Sequence, residues 1–175
     1  PEAPEALRRG LLGVFADEVR HMNLYADLLV ARGHAPGSFE VRDWFWERIP
    51  RATTIVAYLA TMGLGFEGAN LDHTVSFAAR FARHDEEAAR AIERVGRDEV
   101  GHVRFALRWF RELSPEMARG ASLFEAFEAS LPPPLSPLVM KGKVLARELR
   151  TRAGLDEGFL EGLGRWTEAD LARGT

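Results

Sequence analysis

The chain has 175 residues, no cysteine, 46% hydrophobic and 28% charged residues, and a formal net charge of −3. That length suffices for one domain with its own core, and the lack of cysteine excludes disulfides, thiolate metal sites, iron–sulfur clusters and cysteine nucleophiles. The charge gives no argument for an anionic membrane or for nucleic acid, although a tRNA contact through a local basic patch is compatible with it. No apolar run of about 18 residues is present to span a bilayer and no leader segment is visible, so the expected location is cytoplasmic, with no membrane partner.

In chain order, Pro4 suits the first turn of a helix over about residues 5–32, where Leu7, Leu11, Val14, Phe15, Met22, Tyr25, Leu28 and Leu29 recur at helical spacing. Gly33 stops it, and a loop leads to the aromatic stretch Asp43-Trp44-Phe45-Trp46-Glu47, expected as a turn or short helix lying on the body as a lid. Pro50 is expected to open a second long helix to about residue 70. Gly63, Gly65 and Gly68 weaken its end, and Leu71–Thr74 is expected as a break before a short helix reaching Arg83. Asp85 is a good N-cap for a third long helix to about Leu113, which Ser114-Pro115 ends. A short amphipathic helix over 122–131, a rigid joint at Pro132–Pro134, a helix over 138–152 and a small terminal helix complete the expectation. Strand-like alternation is absent, so the fold class is all-α, read as one domain over residues 1–175.

The chemistry is concentrated in a repeated pattern. Glu18-Val19-Arg20-His21 and Glu99-Val100-Gly101-His102 each carry a carboxylate and an imidazole three residues apart, on one face of a helix. Such a pair can equally be a solvated contact worth a few tenths of a kcal/mol. Its position in mid-helix, among core-type residues such as Val95, Val103 and Ala106, argues for metal binding, because an inward carboxylate is costly unless paired or metal-bound. Two facing Glu-x-x-His helices are the ligand set of ferritin-like di-iron carboxylate bundles, completed by one Glu from each of two further helices. Glu67 is either one of these or a surface Glu near a helix end, and Asp17 and Asp98 either accept a hydrogen bond from the imidazole of the facing helix or are ordinary charged helix residues. Tyr25 lies one turn beyond His21, either beside the metals or as a core tyrosine, while Trp44, Trp46 and Trp109 either shape a pocket or pack the lid.

Four segments resemble the DUF455 family of ferritin-like proteins, itself distantly similar to MiaE-type di-iron tRNA hydroxylases. They are Phe15–His21, Phe66–Asp72, Arg97–Val103 with Arg108-Trp109-Phe110, and Arg150–Leu155. The resemblance implies metal ligands at Glu18, His21, Glu67, Glu99 and His102, with iron as the metal, two ions in number, and manganese or zinc as alternatives. It also implies one more Glu on a helix preceding the first Glu-x-x-His helix. Glu5 cannot supply it, since it lies thirteen residues before Glu18, about 20 Å along the same helix. Three sources remain open: a segment outside this sequence, the C-terminal helices with Glu125, Glu128 or Glu148, or a second subunit in a homodimer. The expected function is an oxygen-dependent di-iron oxidase or oxygenase acting on an unidentified small molecule or nucleoside. The alternative is a non-catalytic metal-binding, metal-storage or structural protein with an incomplete site.

Overall fold

Three long helical rods form the body, and the short C-terminal helices brace one end of it. In the computed structural model, which describes residues 3–171, the first rod is α1 (Glu5–Ala31). Residues 1, 2 and 172–175 of the expected domain lie outside the described residues. α1 ends in a Schellman arrangement, in which Gly33 at φ +79° lets its own N–H reach the Val30 carbonyl and that of His34 reach Leu29.

The second rod is continuous but not uniform. It begins at α2 (Ile55–Tyr58), capped by the Thr54 hydroxyl, passes through a π-helical segment (Leu59–Phe66) and continues as α3 (Glu67–Phe81). Two expectations are corrected here. Pro50 sits in a short 3₁₀ turn (Ile49–Arg51) and does not open the rod. The break expected at Leu71–Thr74 is absent, because Leu71, Asp72 and Thr74 are all buried against neighbouring elements and stabilise the helix through that stretch. Gly63 does not loosen the rod either. A Cβ there would lie 2.1 Å from that of Ala106, so its hydrogen allows the third rod to approach closely.

That third rod is α4 (Glu86–Leu113), N-capped by Asp85, whose carboxylate accepts the Ala88 N–H at 3.0 Å. Arg32, at the end of α1, donates two hydrogen bonds of 2.5 Å to the same Asp85. The end of α1 therefore meets the start of α4, and the two helices run antiparallel. α1 and α3 both pack on α4, but α1 does so lightly, with only Leu7 and His21 buried among its 27 residues.

The chain then folds back through α5 (Pro115–Ala118), α6 (Leu123–Ser130), a 3₁₀ turn (Pro137–Met140), α7 (Arg147–Arg152), α8 (Glu157–Arg165) and α9 (Glu168–Leu171). Leu64, Phe110, Phe127, Met140 and Phe159 meet in the core without measurable exposure, with the Phe127 and Phe159 rings edge to face at 5.1 Å. No strand occurs among the described residues, and none of their helices is long and apolar enough to cross a membrane.

The helix expected over Leu138–Arg152 is interrupted, and Asp72 explains why. This buried carboxylate accepts the backbone N–H groups of Gly142 at 2.8 Å and Ala146 at 2.7 Å, drawing the intervening chain across α3 in a non-helical path. It also accepts the Nε and Nη2 hydrogens of the fully buried Arg150 guanidinium, at 2.9 and 2.8 Å. Removing one partner leaves the other charge buried and unpaired, which costs about 3–5 kcal/mol. Asp72→Ala should lower the unfolding free energy by about that amount in chemical denaturation, whereas exposed Glu86→Ala should change it little.

Candidate metal centre

The antiparallel register of α1 on α4 brings the two Glu-x-x-His pairs face to face, with their imidazole centroids 5.8 Å apart. Each ring turns the same way. His21 directs Nε2 to the Asp98 carboxylate at 3.2 Å, and His102 directs Nε2 to Asp17 at 3.1 Å, so each histidine is held by the aspartate preceding the other helix's glutamate. With Nε2 engaged in this way, the Nδ1 atoms face the space between the helices.

Carboxylates converge on that space. The Nδ1 of His102 lies 3.0 Å from Glu99, 3.2 Å from Glu18 and 3.9 Å from Glu67. One ligand-type atom from each of these four residues falls within 4.8 Å of all the others, a spacing that can hold a metal ion. His21 stands at the edge of this group, its Nδ1 3.3 Å from Glu18 and 3.8 Å from Glu99. That atom is buried and has no hydrogen-bond partner among the described residues. A buried imidazole nitrogen that faces carboxylates without a hydrogen bond fits a metal ligand, because an uncompensated buried acceptor is otherwise costly.

The three rods contribute unequally. Glu99 and His102 are buried on α4, Glu67 is largely buried at the first residue of α3, and Glu18 on α1 is half exposed. The π segment sets the direction of Glu67. Nine residues make about 2.5 turns of α-helix, which would place Tyr58 and Glu67 on opposite faces. The wider π turns bring both, with His102, to the wall of one small cavity of about 30 Å³.

Glu125 and Glu128 on α6 and Glu148 on α7 do not join the group. The Glu125 carboxylate closes the capping box of α6 on Ser122, and Glu148 lines a separate cavity with Thr74 and Arg97. Asn70 was not anticipated from the sequence. One turn beyond Glu67, its amide donates to Glu99 at 2.8 Å; the same three-residue spacing that marks Glu-x-x-His was the available signal. At Tyr58, burial raises the hydroxyl pKa and the charge of Glu67 adds to it. Tyr25, 37% exposed, is raised by partial burial and by Glu99 and Glu18. His73 lies on α3 with its ring stacked on Phe77, not in a turn.

A family model now joins this geometry, matching residues 1–161. The chain belongs to the DUF455 family. The family is described as a protein of unknown function, and its match spans both Glu-x-x-His segments, Glu67 and Arg150. A protein of Haemophilus influenzae (strain ATCC 51907 / DSM 11121 / KW20 / Rd), described as "Uncharacterized protein", is 29% identical over 168 residues. The alignment covers 91% of this chain and 57% of that protein, so the DUF455 chain spans little more than half the length of this relative. No solved structure matches the chain.

Electrostatics in the metal-free DUF455 protein follow from burial. Desolvation, with hydrogen bonding to and charge on Glu67, pushes the Glu99 carboxyl up to about 8. Burial alone would lower His102, but the carboxylates of Glu18, Glu67 and Glu99 around its Nδ1 push it up to about 12. Glu67 moves the other way: burial would raise it, and its interactions with His102, Glu99 and His21 outweigh that. Protons on Glu99 and His102 thus offset the remaining carboxylates. Both groups bind protons more tightly folded than unfolded, so their stabilisation is complete below their ordinary values of 4.5 and 6.5 and is lost as pH rises towards 8 and 12. A metal ion displaces the same protons. Metal-free protein should therefore show a falling denaturation midpoint between about pH 6 and 9, while zinc affinity rises and calorimetry in buffers of different ionisation enthalpy reads proton release.

Proposed function

We propose that the protein is a ferritin-like di-metal carboxylate protein in which Glu18, His21, Glu67, Glu99 and His102 hold the metals, and that it acts as an oxygen-dependent oxidase or oxygenase on a small molecule. The observation that carries this reading is the pair of imidazoles with Nε2 engaged by aspartate and Nδ1 turned to a carboxylate cluster, one Nδ1 lacking any partner among the described residues. Hydrogen bonding alone gives no reason for leaving that nitrogen bare.

Iron bound there would supply redox chemistry towards dioxygen, which the ionisable side chains of the cluster do not provide by themselves. The protein's part is positioning. Asp17 and Asp98 select the imidazole tautomer and fix ring orientation. Asn70 orients Glu99 at the buried end, while the more accessible Glu18 and Glu67 border a cleft through which a substrate can approach. Exclusion of water falls to the aromatic turn at 43–48, where Trp44 and Phe45 pack on Phe66 with centroids 5.8 and 4.5 Å apart.

A second reading, metal binding without turnover, is favoured by one feature: the proposed ligand set has five side chains, drawn from only three rods. Dioxygen consumption after Fe(II) addition, with growth of near-ultraviolet absorption, separates the two. Turnover supports the oxidase, and uptake without consumption supports the binding protein.

Metal analysis after growth in iron-supplemented medium tests the centre itself. We expect about two ions per chain, with loss in His21→Ala, Glu99→Ala and His102→Ala; a wild type without metal refutes the reading. Asp98→Asn should retain the fold and weaken metal affinity by about 10–100-fold. Because α1 is lightly packed and carries two of the ligands, a chelator should accelerate amide exchange along α1 far more than in α8, as read by hydrogen-exchange mass spectrometry.

A further inference from the structure

The cleft beside the cluster has a composition of its own. It holds about 740 Å³, within the range of small-molecule sites, and opens between α1, the turn at 43–48 and α3. Its walls are apolar: Phe15, Val19 and Met22 come from α1, and Met62, Phe66 and Ala69 from the facing rod. The turn adds Trp44, Phe45 and Trp46, the last two edge to face at 5.8 Å. Phe15 and Trp46, 67% and 71% exposed, present rings to this space from two different elements. So much uncovered aromatic surface gains free energy when a ligand displaces its water.

The polar groups are few, and their charge is one-sided. Glu18 and Glu67 mark the end shared with the cluster, Asn70 and His73 are the only other polar side chains, and no Lys or Arg lines the cleft among the described residues. Arg48, on the turn, is engaged elsewhere: its guanidinium covers the Trp44 ring at 4.3 Å and donates to the Trp44 carbonyl at 2.7 Å. In the metal-free protein a phosphate or carboxylate entering here would leave water for two glutamates and no cation, which is unfavourable. Nucleic acid, whose binding depends on cations at its phosphates, is disfavoured for the same reason.

We propose that this cleft binds an uncharged, flat aromatic molecule, stacked on the rings of Phe15 and Trp46, with one edge directed at Glu18 and Glu67. As the substrate class of the proposed centre it rests on the metal reading; as a binding site it does not. Aromatic rings of this kind favour offset or edge-on contact with another ring, and the amide of Asn70 and the imidazole of His73 supply hydrogen bonds for a neutral polar substituent.

The test uses calorimetric titration of the full chain, as purified and after zinc loading, with metal content measured on the same samples. The probes are naphthalenemethanol and naphthalenesulfonate, which share a ring system and differ in charge. Naphthalenemethanol should bind in both preparations, and to the metal-free one at least about tenfold more tightly than the sulfonate. Phe15→Ala and Trp46→Ala, both at exposed side chains that the fold does not need, should each weaken it by about fivefold. Equal or tighter binding of the sulfonate by metal-free protein, or affinity unchanged in both variants, overturns the proposal. So does a wild type that binds neither probe and sediments as a dimer split by Met22→Glu, because a second copy would then cover this face. Protein that binds naphthalenemethanol but no metal refutes the centre and leaves the cleft standing; protein that binds metal but no probe does the reverse.

Discussion

Two imidazoles clasped between antiparallel helices hold α1 against α4. Each is tied through Nε2 to an aspartate on the opposite helix, and these contacts repeat with near two-fold symmetry: Asp17 with His102, and Asp98 with His21. A slide of one residue would rotate each partner by about 100° and break both contacts together, so the register is all or none. The Arg32–Asp85 pair fixes the same register from the helix ends. Apolar burial does less here than in most helix pairs, since α1 buries only Leu7 and His21. The helix carrying half of each imidazole clasp is therefore also the one whose seat depends most on electrostatics.

The rest of the molecule is organised to keep α3 and α4 still. Asp72 gathers two backbone amides and a guanidinium at a point one turn and a half beyond Glu67, binding the C-terminal segment to the rod that carries that ligand. The Phe110, Phe127 and Phe159 core lies behind it. A rigid two-rod platform with a lightly seated third rod suits a site that must admit ions and a ligand, because only one wall has to yield.

Much of this was legible from residue spacing. Glu18, His21, Glu99 and His102 stand out because three-residue separation on a helix is a statement about one face, and Asp17 and Asp98 follow from the same geometry carried across to a facing helix. Gly63 misled, because a glycine that weakens an isolated helix is indistinguishable in sequence from one that lets Ala106 approach. The interrupted stretch before Arg150 was hidden for another reason: the carboxylate that draws Gly142 and Ala146 out of helical geometry lies 70 and 74 positions away. The π segment has no compositional mark at all. Its residues, Leu59 to Phe66, would suit an α-helix equally well, and only their backbone hydrogen bonds distinguish them.

That segment makes the site sensitive to chain length in a way substitutions would not reveal. Its widened turns accommodate the residues between Tyr58 and Glu67, and both of its ends are fused to ordinary helix. Deleting a single residue and relaxing to α-geometry would leave eight steps of about 100° between Tyr58 and Glu67, setting them about 80° apart around the rod axis instead of on one wall, and would turn the buried Leu71, Asp72 and Thr74 with Glu67. Glu67 would then leave the cluster, and Asp72 would turn away from Gly142, Ala146 and Arg150. Side chains along Leu59–Phe66 can be exchanged for others of similar size, but the number of residues there cannot, and the spacing between Tyr58 and Glu67 is as much a part of the centre as the ligands themselves.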